Sequence, residues 1–286
     1  MKITYSSTKE DFFIFYLSQI FFKKPVYLNE MYNFAGLFKI DKDEIRSLEV
    51  TDSQKKDFFE GKNFEEFKKY YFLYDFYKEV DEEKINIVLK SSENYLEKAL
   101  WSLTELFGES QMSPNIEIAF VQYSIKNQET DLNAFTSKFL KNKIFLAFND
   151  AFDIKDTQAV NYYIRVIIHE LTHIFINENT SFQEIFKEEW TNKYKNINPK
   201  DYRFDIEELL TSSLIFPYKD FGFLCEDLGF EENLNKKEDS IKKNKYRKIT
   251  FDFLEELKNS SDKDKLENLL PVYIDELIKG GLFLEE

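Results

Sequence analysis

The sequence predicts a mainly helical α+β protein, with a small sheet packed on one central helix and a helical region ahead of both. Three observations carry that expectation. The 286 residues include 7 glycines and 5 prolines, few breakers for a chain built of tight turns. Apolar residues recur at helical spacing along most of the chain, most densely around residues 160–175. Between residues 116 and 149 the pattern changes to that of strands.

Taken in order, Ser7-Thr8-Lys9-Glu10 has the Ser-x-x-Glu order of a capping box and leads into the apolar run Phe12–Phe22, a helix ended near Pro25. Residues 26–60 read as irregular or weakly helical. Phe64 to Val80 reads as a helix whose aromatic residues Phe67, Tyr70, Tyr71, Tyr74 and Phe76/Tyr77 pack a core. Residues 81–90 read as a charged connection. The first domain, residues 1–90, is therefore expected to be a helical, aromatic-rich region without identifiable chemistry.

The second domain, residues 91–286, is expected to carry the chemistry. Ser92–Phe107 reads as an amphipathic helix with Gly108 just past its end. Ile116, Ile118 and Phe120 alternate with Glu117, Ala119 and Val121 as a strand would, and Lys143–Asn149 reads as a second strand. Residues 126–142 read as a loop between them. Asp156 or Thr157 caps the next helix, in which Val160, Ile164, Ile167, Ile168, Leu171, Ile174 and Phe175 form a wide apolar stripe, and Asn177 and Asn179 serve as stops. Ser181-x-x-Glu184 is a second capping box and starts a helix through Ile185, Phe186 and Trp190. Pro199 and Lys200 fall in a connection, and Phe204–Phe216 is a helix ended by Pro217. Residues 231–248 are charge-rich, a solvated loop or exposed helix. Residues 249–258 and 264–279 close the chain as helices, with Gly280-Gly281 as a stop.

Composition narrows the partners. With 39 basic and 53 acidic side chains the net charge is −14, which argues against nucleic acid and anionic membrane as partners, since phosphates need a basic surface. Oligomeric state is not readable. Cys225 is the one cysteine, so there is no intrachain disulfide and no cysteine-based zinc site. Residues 1–24 lack the pattern of a signal peptide, and Phe12–Phe22 is too short to span a bilayer. A soluble, cytoplasmic protein is expected.

The chemistry lies in His169-Glu170-Leu171-Thr172-His173. Both histidines of the chain are here, in the pattern His-Glu-x-x-His. On a helix of 3.6 residues per turn, residues four apart stand one above the other on one face. Two imidazoles so placed reach one tetrahedral Zn²⁺, and Glu170, turned about 100° away, reaches a water beside the metal as a general base. The helix is apolar enough to be buried, and buried polar groups need partners or a metal. A catalytic zinc takes three protein ligands and leaves a position for water. With no histidine left, the third is an acid: Glu178, Glu184, Glu188, Glu189, Glu207 or Glu208. Glu207 and Glu208 stand on the strongest following helix, and periodicity does not separate them.

With these residues the chain resembles the gluzincin metallopeptidases, the His-Glu-x-x-His zincins whose third ligand is a downstream Glu. The order helix, strand, strand, helix before His169 is similar to their catalytic fold, in which a strand beside the active helix binds extended substrate. Within that group the layout resembles the lethal-factor-like peptidases, where a Phe-rich helix follows the motif and the ligand Glu opens a helix of the form Glu-apolar-apolar-small. Phe182–Glu189 and Glu208–Phe216 match, with Thr211 as the small residue. The resemblance covers about residues 92–216. It implies Glu208 rather than Glu207 as the third ligand beside His169 and His173, zinc as the cofactor, and Tyr202 as an aid to the oxyanion. The chain departs from the family at Thr172, where Gly is common, and at Ser212, where an acidic residue often supports the site.

The expected activity is thus a zinc-dependent peptidase with a peptide or protein substrate. Two alternatives stand beside it: a zinc hydrolase of a non-peptide amide, and a zincin-like binding or sensing protein without catalysis. Intact Glu170 argues against the last, because a binding module needs no base.

Overall fold

The structure, a computed structural model, describes residues 2–21, 43, 45, 48–123, 134–136, 142–149, 153–193, 199–216, 222–230, 245–262 and 264–281, with the backbone alone for 19, 20, 123, 149, 190, 192 and 199–205. These residues form a mainly helical α+β fold with one small mixed sheet. The chain divides into two compact units, Met1–Ile87 with Pro114–Ile154, and Val88–Ser113 with Lys155–Glu286. The second unit holds the His-Glu-x-x-His helix.

The first unit contains the sheet. Its strands are β1 (Lys2–Ser6), β2 (Asn115–Tyr123), β3 (Ala134–Phe135) and β4 (Lys143–Asn149), in the order β1-β2-β4-β3. β1 and β4 both run parallel to β2, and β3 runs antiparallel to β4. β2 and β4 are the strands the sequence predicts. The alternation seen in β2 gives way to continuous burial from Ile118 to Gln122, as expected of a central parallel strand covered on both faces. β1 is an addition to a region expected to be helical. Its backbone pairs with β2 more than a hundred residues away, a partnership no local pattern announces. β3 likewise lies inside the stretch 126–142, otherwise expected to be a loop.

Helix α1 (Lys9–Phe21) follows β1. Its cap is one residue later than the Ser7 box: Asp11 N–H donates to Thr8 Oγ1, and Thr8 N–H donates back to Asp11 Oδ2. The reciprocal pair is a capping box with aspartate in place of glutamate. α1 buries Phe12, Phe13, Phe15, Tyr16 and Leu17 in an aromatic core shared with Phe58, Phe67, Tyr70 and Leu73. Helix α2 (Asp52–Phe59), capped by Thr51 and Gln54, supplies Phe58. Phe64–Phe76 is a 3₁₀ helix rather than the α-helix its aromatic content predicts. The reason is the spacing of Phe64, Phe67, Tyr70, Leu73 and Phe76, which recur every third residue. That is the 3₁₀ period, which stacks all five on one edge. The expected ends near Pro25 and Pro217, and residues 231–244 of the charge-rich stretch, lie outside the described residues.

Helix α3 (Glu82–Phe107) begins ten residues before the predicted Ser92, so residues expected to be a charged connection form its first turns. The acids Glu82 and Glu83 sit in the opening turn, where they complement the helix dipole. α3 ends before Gly108, which takes the left-handed φ of 78°.

In the second unit, helix α4 (Thr157–Asn177) starts at its Asp156 cap, whose side chain accepts from Gln158 N–H. Helix α5 (Thr180–Lys193) follows after two residues. Asn179, expected to stop α4, instead caps α5. Its Oδ1 accepts from Phe182 N–H, and its Nδ2 donates to Phe107 O at the end of α3. Helix α6 (Pro199–Leu214) begins five residues before Phe204. Pro199, expected in a connection, opens the helix, where a missing N–H costs nothing. The short α7 (Cys225–Leu228), then α8 (Lys245–Asn259) and α9 (Lys265–Lys279), complete the unit. α6 packs on α4 and on α8, and α9 packs on α8 and α5. Among the described residues no helix is long and apolar enough to cross a membrane.

Candidate metal centre

Helix α4 is buried on every side for most of its length. Each residue from Tyr163 to Ile176 is buried, His169, Glu170 and His173 included. A helix apolar all round belongs inside a domain, so its few polar side chains must find partners there. Arg165 donates to Cys225 Sγ at 3.3 Å and lies over the Phe230 ring. Thr172, where Gly is common in the gluzincin layout, donates its hydroxyl to Ile168 O at 2.8 Å and is fully buried.

The two histidines meet as the helical spacing requires. Their rings are 4.9 Å apart between centroids and nearly perpendicular, with Nε2 to Nε2 at 3.3 Å. Each Nδ1–H is engaged elsewhere. His169 donates to the backbone carbonyl of Ile215 at 3.3 Å, and His173 donates to Glu207 Oε1 at 2.8 Å. With both Nδ1 atoms occupied, both Nε2 atoms face one point.

Helix α6 brings an acid to that point. Glu208 Oε1 lies 3.6 Å from His169 Nε2, and Oε2 lies 3.2 Å from His173 Nε2. The approach is close because Thr211, one turn beyond Glu208, is small and fully buried, its Oγ1 3.3 Å from His173 Nε2. The three ligand atoms of His169, His173 and Glu208 all lie within 4.8 Å of one another. A tetrahedral zinc with bonds of about 2.0–2.1 Å sets its ligand atoms about 3.3–3.4 Å apart. The two Nε2 atoms are separated by 3.3 Å, as two corners of that tetrahedron would be, and the two oxygens of Glu208 each approach one of them. Two imidazoles and one carboxylate are a donor set that can hold a zinc ion.

Charge in the cluster is coupled. Burial pulls the His173 imidazole down, but hydrogen bonds to Glu207 and Glu208, with the charges of Glu170 and Glu207, outweigh it and raise its pKa to about 10. Burial pushes the Glu208 carboxyl up, and the hydrogen bonds and charges of His169 and His173 overcome that to hold it well below the usual carboxylate range. Its side chain still keeps 46% of its surface, so the site has an open side.

The remaining candidates are placed as follows. Glu170 is buried on α4, close enough to His173 for its charge to act there. Tyr202 lies on α6, six residues before Glu208, about 9 Å along the axis and about 120° around it. Its side chain is outside the described residues. Glu178 is the exposed C-cap of α4. Glu184 and Glu188 are exposed on α5, and Glu189 pairs with Lys193 at 2.7 Å.

Glu207 has a place the periodicity does not assign it. Neighbours on a helix point about 100° apart, and here the two acids take opposite edges of one ring, Glu207 at Nδ1 and Glu208 at Nε2. Asn177 joins them, donating from Nδ2 to Glu207 Oε1 at 2.9 Å. Two signals point this way in retrospect. Asn177 stands four residues after His173, and Glu207 heads the buried stripe Leu210, Thr211, Leu214.

Comparison with protein-family models, with curated proteins and with solved structures found no match.

Proposed function

We propose that this protein is a zinc-dependent peptidase of gluzincin type, with His169, His173 and Glu208 as the metal ligands and Glu170 as the general base. The observation that carries the reading is the convergence of one ligand atom each from His169, His173 and Glu208 within 4.8 Å, with a buried glutamate directly after the first histidine. The order α3, β2, β3, β4, α4 supports the zincin-like part of the reading in outline, a helix and then strands ahead of the His169 helix, with the two-residue β3 added between the two expected strands.

Zinc held by these residues supplies a Lewis acid that lowers the pKa of water toward about 7 and polarises the scissile carbonyl. The chain supplies the rest. His169 and His173 present Nε2 because their Nδ1–H groups are held by Ile215 O and Glu207. The Glu170 carboxylate takes the proton of the attacking water and passes it to the leaving amine nitrogen. Its burial keeps bulk water from competing for that proton. Tyr202 is assigned to the developing oxyanion on the resemblance alone. A site open at Glu208 leaves room for a peptide or protein substrate.

The test joins metal analysis with cleavage. The purified full chain should hold one zinc after reconstitution and cleave a peptide library, and Glu170→Gln should keep the zinc and lose the cleavage. A chain without zinc sinks the metal reading. Zinc with cleavage of small amides but not peptides moves the activity to the non-peptide class. Zinc without hydrolysis of either leaves a binding or sensing protein.

A further inference from the structure

We propose that Glu207, braced by Asn177, is a positioning residue that orients His173 for metal. The inference rests on the metal reading above and adds a charged anchor outside the ligand set.

The contacts form a closed circuit. His173 Nδ1–H donates to Glu207 Oε1 at 2.8 Å, Asn177 Nδ2 donates to the same oxygen at 2.9 Å, and Asn177 Nδ2 also donates to His173 O at 2.9 Å. Both hydrogens of the carboxamide are used, one on each bond. The ring of His173 is thus tied to its own helix turn through a carboxylate that arrives from 34 residues away. The Glu207 side chain is 13% exposed. A carboxylate so buried is costly unless paired, and here two donors converge on one of its oxygens.

The two histidines are held unequally. His169 leans on a neutral carbonyl at 3.3 Å, whereas His173 is anchored by a charged acceptor at 2.8 Å. A carboxylate on the far nitrogen fixes the tautomer and raises the basicity of the nitrogen facing the metal. Ser212, where an acidic residue often supports the site in the gluzincin layout, donates its hydroxyl to Leu209 O at 3.2 Å. Support for the site therefore comes from the residue before the ligand acid rather than from the turn after it. Glu207 is a second partner of His173 and stands outside the group of three ligand atoms.

The test is a zinc titration of the full chain against a chromophoric chelator, with ¹⁵N-histidine NMR in parallel. Glu207→Ala should weaken zinc about 10–100-fold. Glu207→Gln, which can still accept from Nδ1–H but has no charge, should recover part of that loss. The hydrogen-bonded Nδ1–H signal of His173 should be present in the parent and lost in Glu207→Ala, with the His169 signal unmoved. A Glu207 that only packs would leave the zinc affinity of a folded variant unmoved. Zinc bound by Glu207→Ala as tightly as by the parent, or an unchanged His173 signal, overturns the proposal and leaves the metal reading standing. A parent chain that binds no zinc overturns both. Should the alanine variant not fold, Glu207→Gln decides: zinc affinity and His173 signal identical to the parent's count against a role for the charge.

Discussion

Helices α1 and α4 are both buried, and they bury opposite kinds of chemistry. α1 sends Phe12, Phe13, Phe15, Tyr16 and Leu17 into an aromatic core, where Phe13 stacks on Tyr74 at 4.9 Å. Its buried polar groups are satisfied locally or at its first turn. Ser18 donates to Phe15 O, and Asp11 caps the helix and pairs with Lys143 at 2.7 Å. α4 instead buries Arg165, His169, Glu170 and His173 in mid-helix, and two of these face acids from another helix. Burying a ring stabilises a fold. Burying an ionisable group costs several kcal/mol unless a partner offsets it. Packing therefore accounts for α1, while the cluster on α4 stands on the partners that α6 brings to it.

The largest effect expected from that contrast is His169→Ala, which removes one of the three proposed ligands. Elemental analysis after zinc reconstitution and gel filtration should find no metal on the variant. Stoichiometric zinc on it would reduce α4 to a packing helix like α1. Next is Phe13→Ala, the matching deletion in the aromatic core. A buried Phe→Ala change costs about 3–5 kcal/mol, so urea unfolding should move strongly toward lower denaturant. The zinc affinity of the folded fraction should not change. Lost affinity would mean that the two helices do not divide the work in this way.

The smallest effect is a pH dependence of the metal-free protein. His173 is raised from 6.5 to about 10, so its contribution to stability is complete below the unfolded value and is lost as pH rises from about 6.5 to about 10. Glu208 is lowered, so its contribution is present above the ordinary carboxylate range and is lost as pH falls through its depressed folded value. Melting of the chelated chain should therefore weaken above pH 6.5, by at most about 1.4 kcal/mol per pH unit for one proton. His173→Phe should flatten that slope. An unchanged slope would mean that the cluster does not hold a proton on His173.

Local spacing made α4 legible. The i, i+4 relation of His169 and His173 is a property of one helix, so their shared face follows from the sequence. The Asp156 cap follows too, because a cap bonds within its own turn. The same locality misled elsewhere. Aromatic content at Phe64–Phe76 suggested an α-helix, although the spacing of three was there to be read. The capping order at Ser7 was real but shifted by one residue, because Thr8 and Asp11 meet the same requirement.

By itself, then, the sequence determined the shared face of His169 and His173, the glutamate beside them and the burial of the helix that holds them. Composition and spacing set these within one segment of 21 residues. The tertiary structure decided what the two adjacent acids do. Which edge of the His173 ring each carboxylate meets depends on the rotation and approach of α6, set by Leu210, Thr211 and Leu214 packing 37 to 41 residues beyond the histidine. It also decided that β1 joins β2 and that Asn179 begins a helix rather than ending one. These outcomes rest on hydrogen bonds between residues far apart in the chain, whose partners a local pattern cannot name.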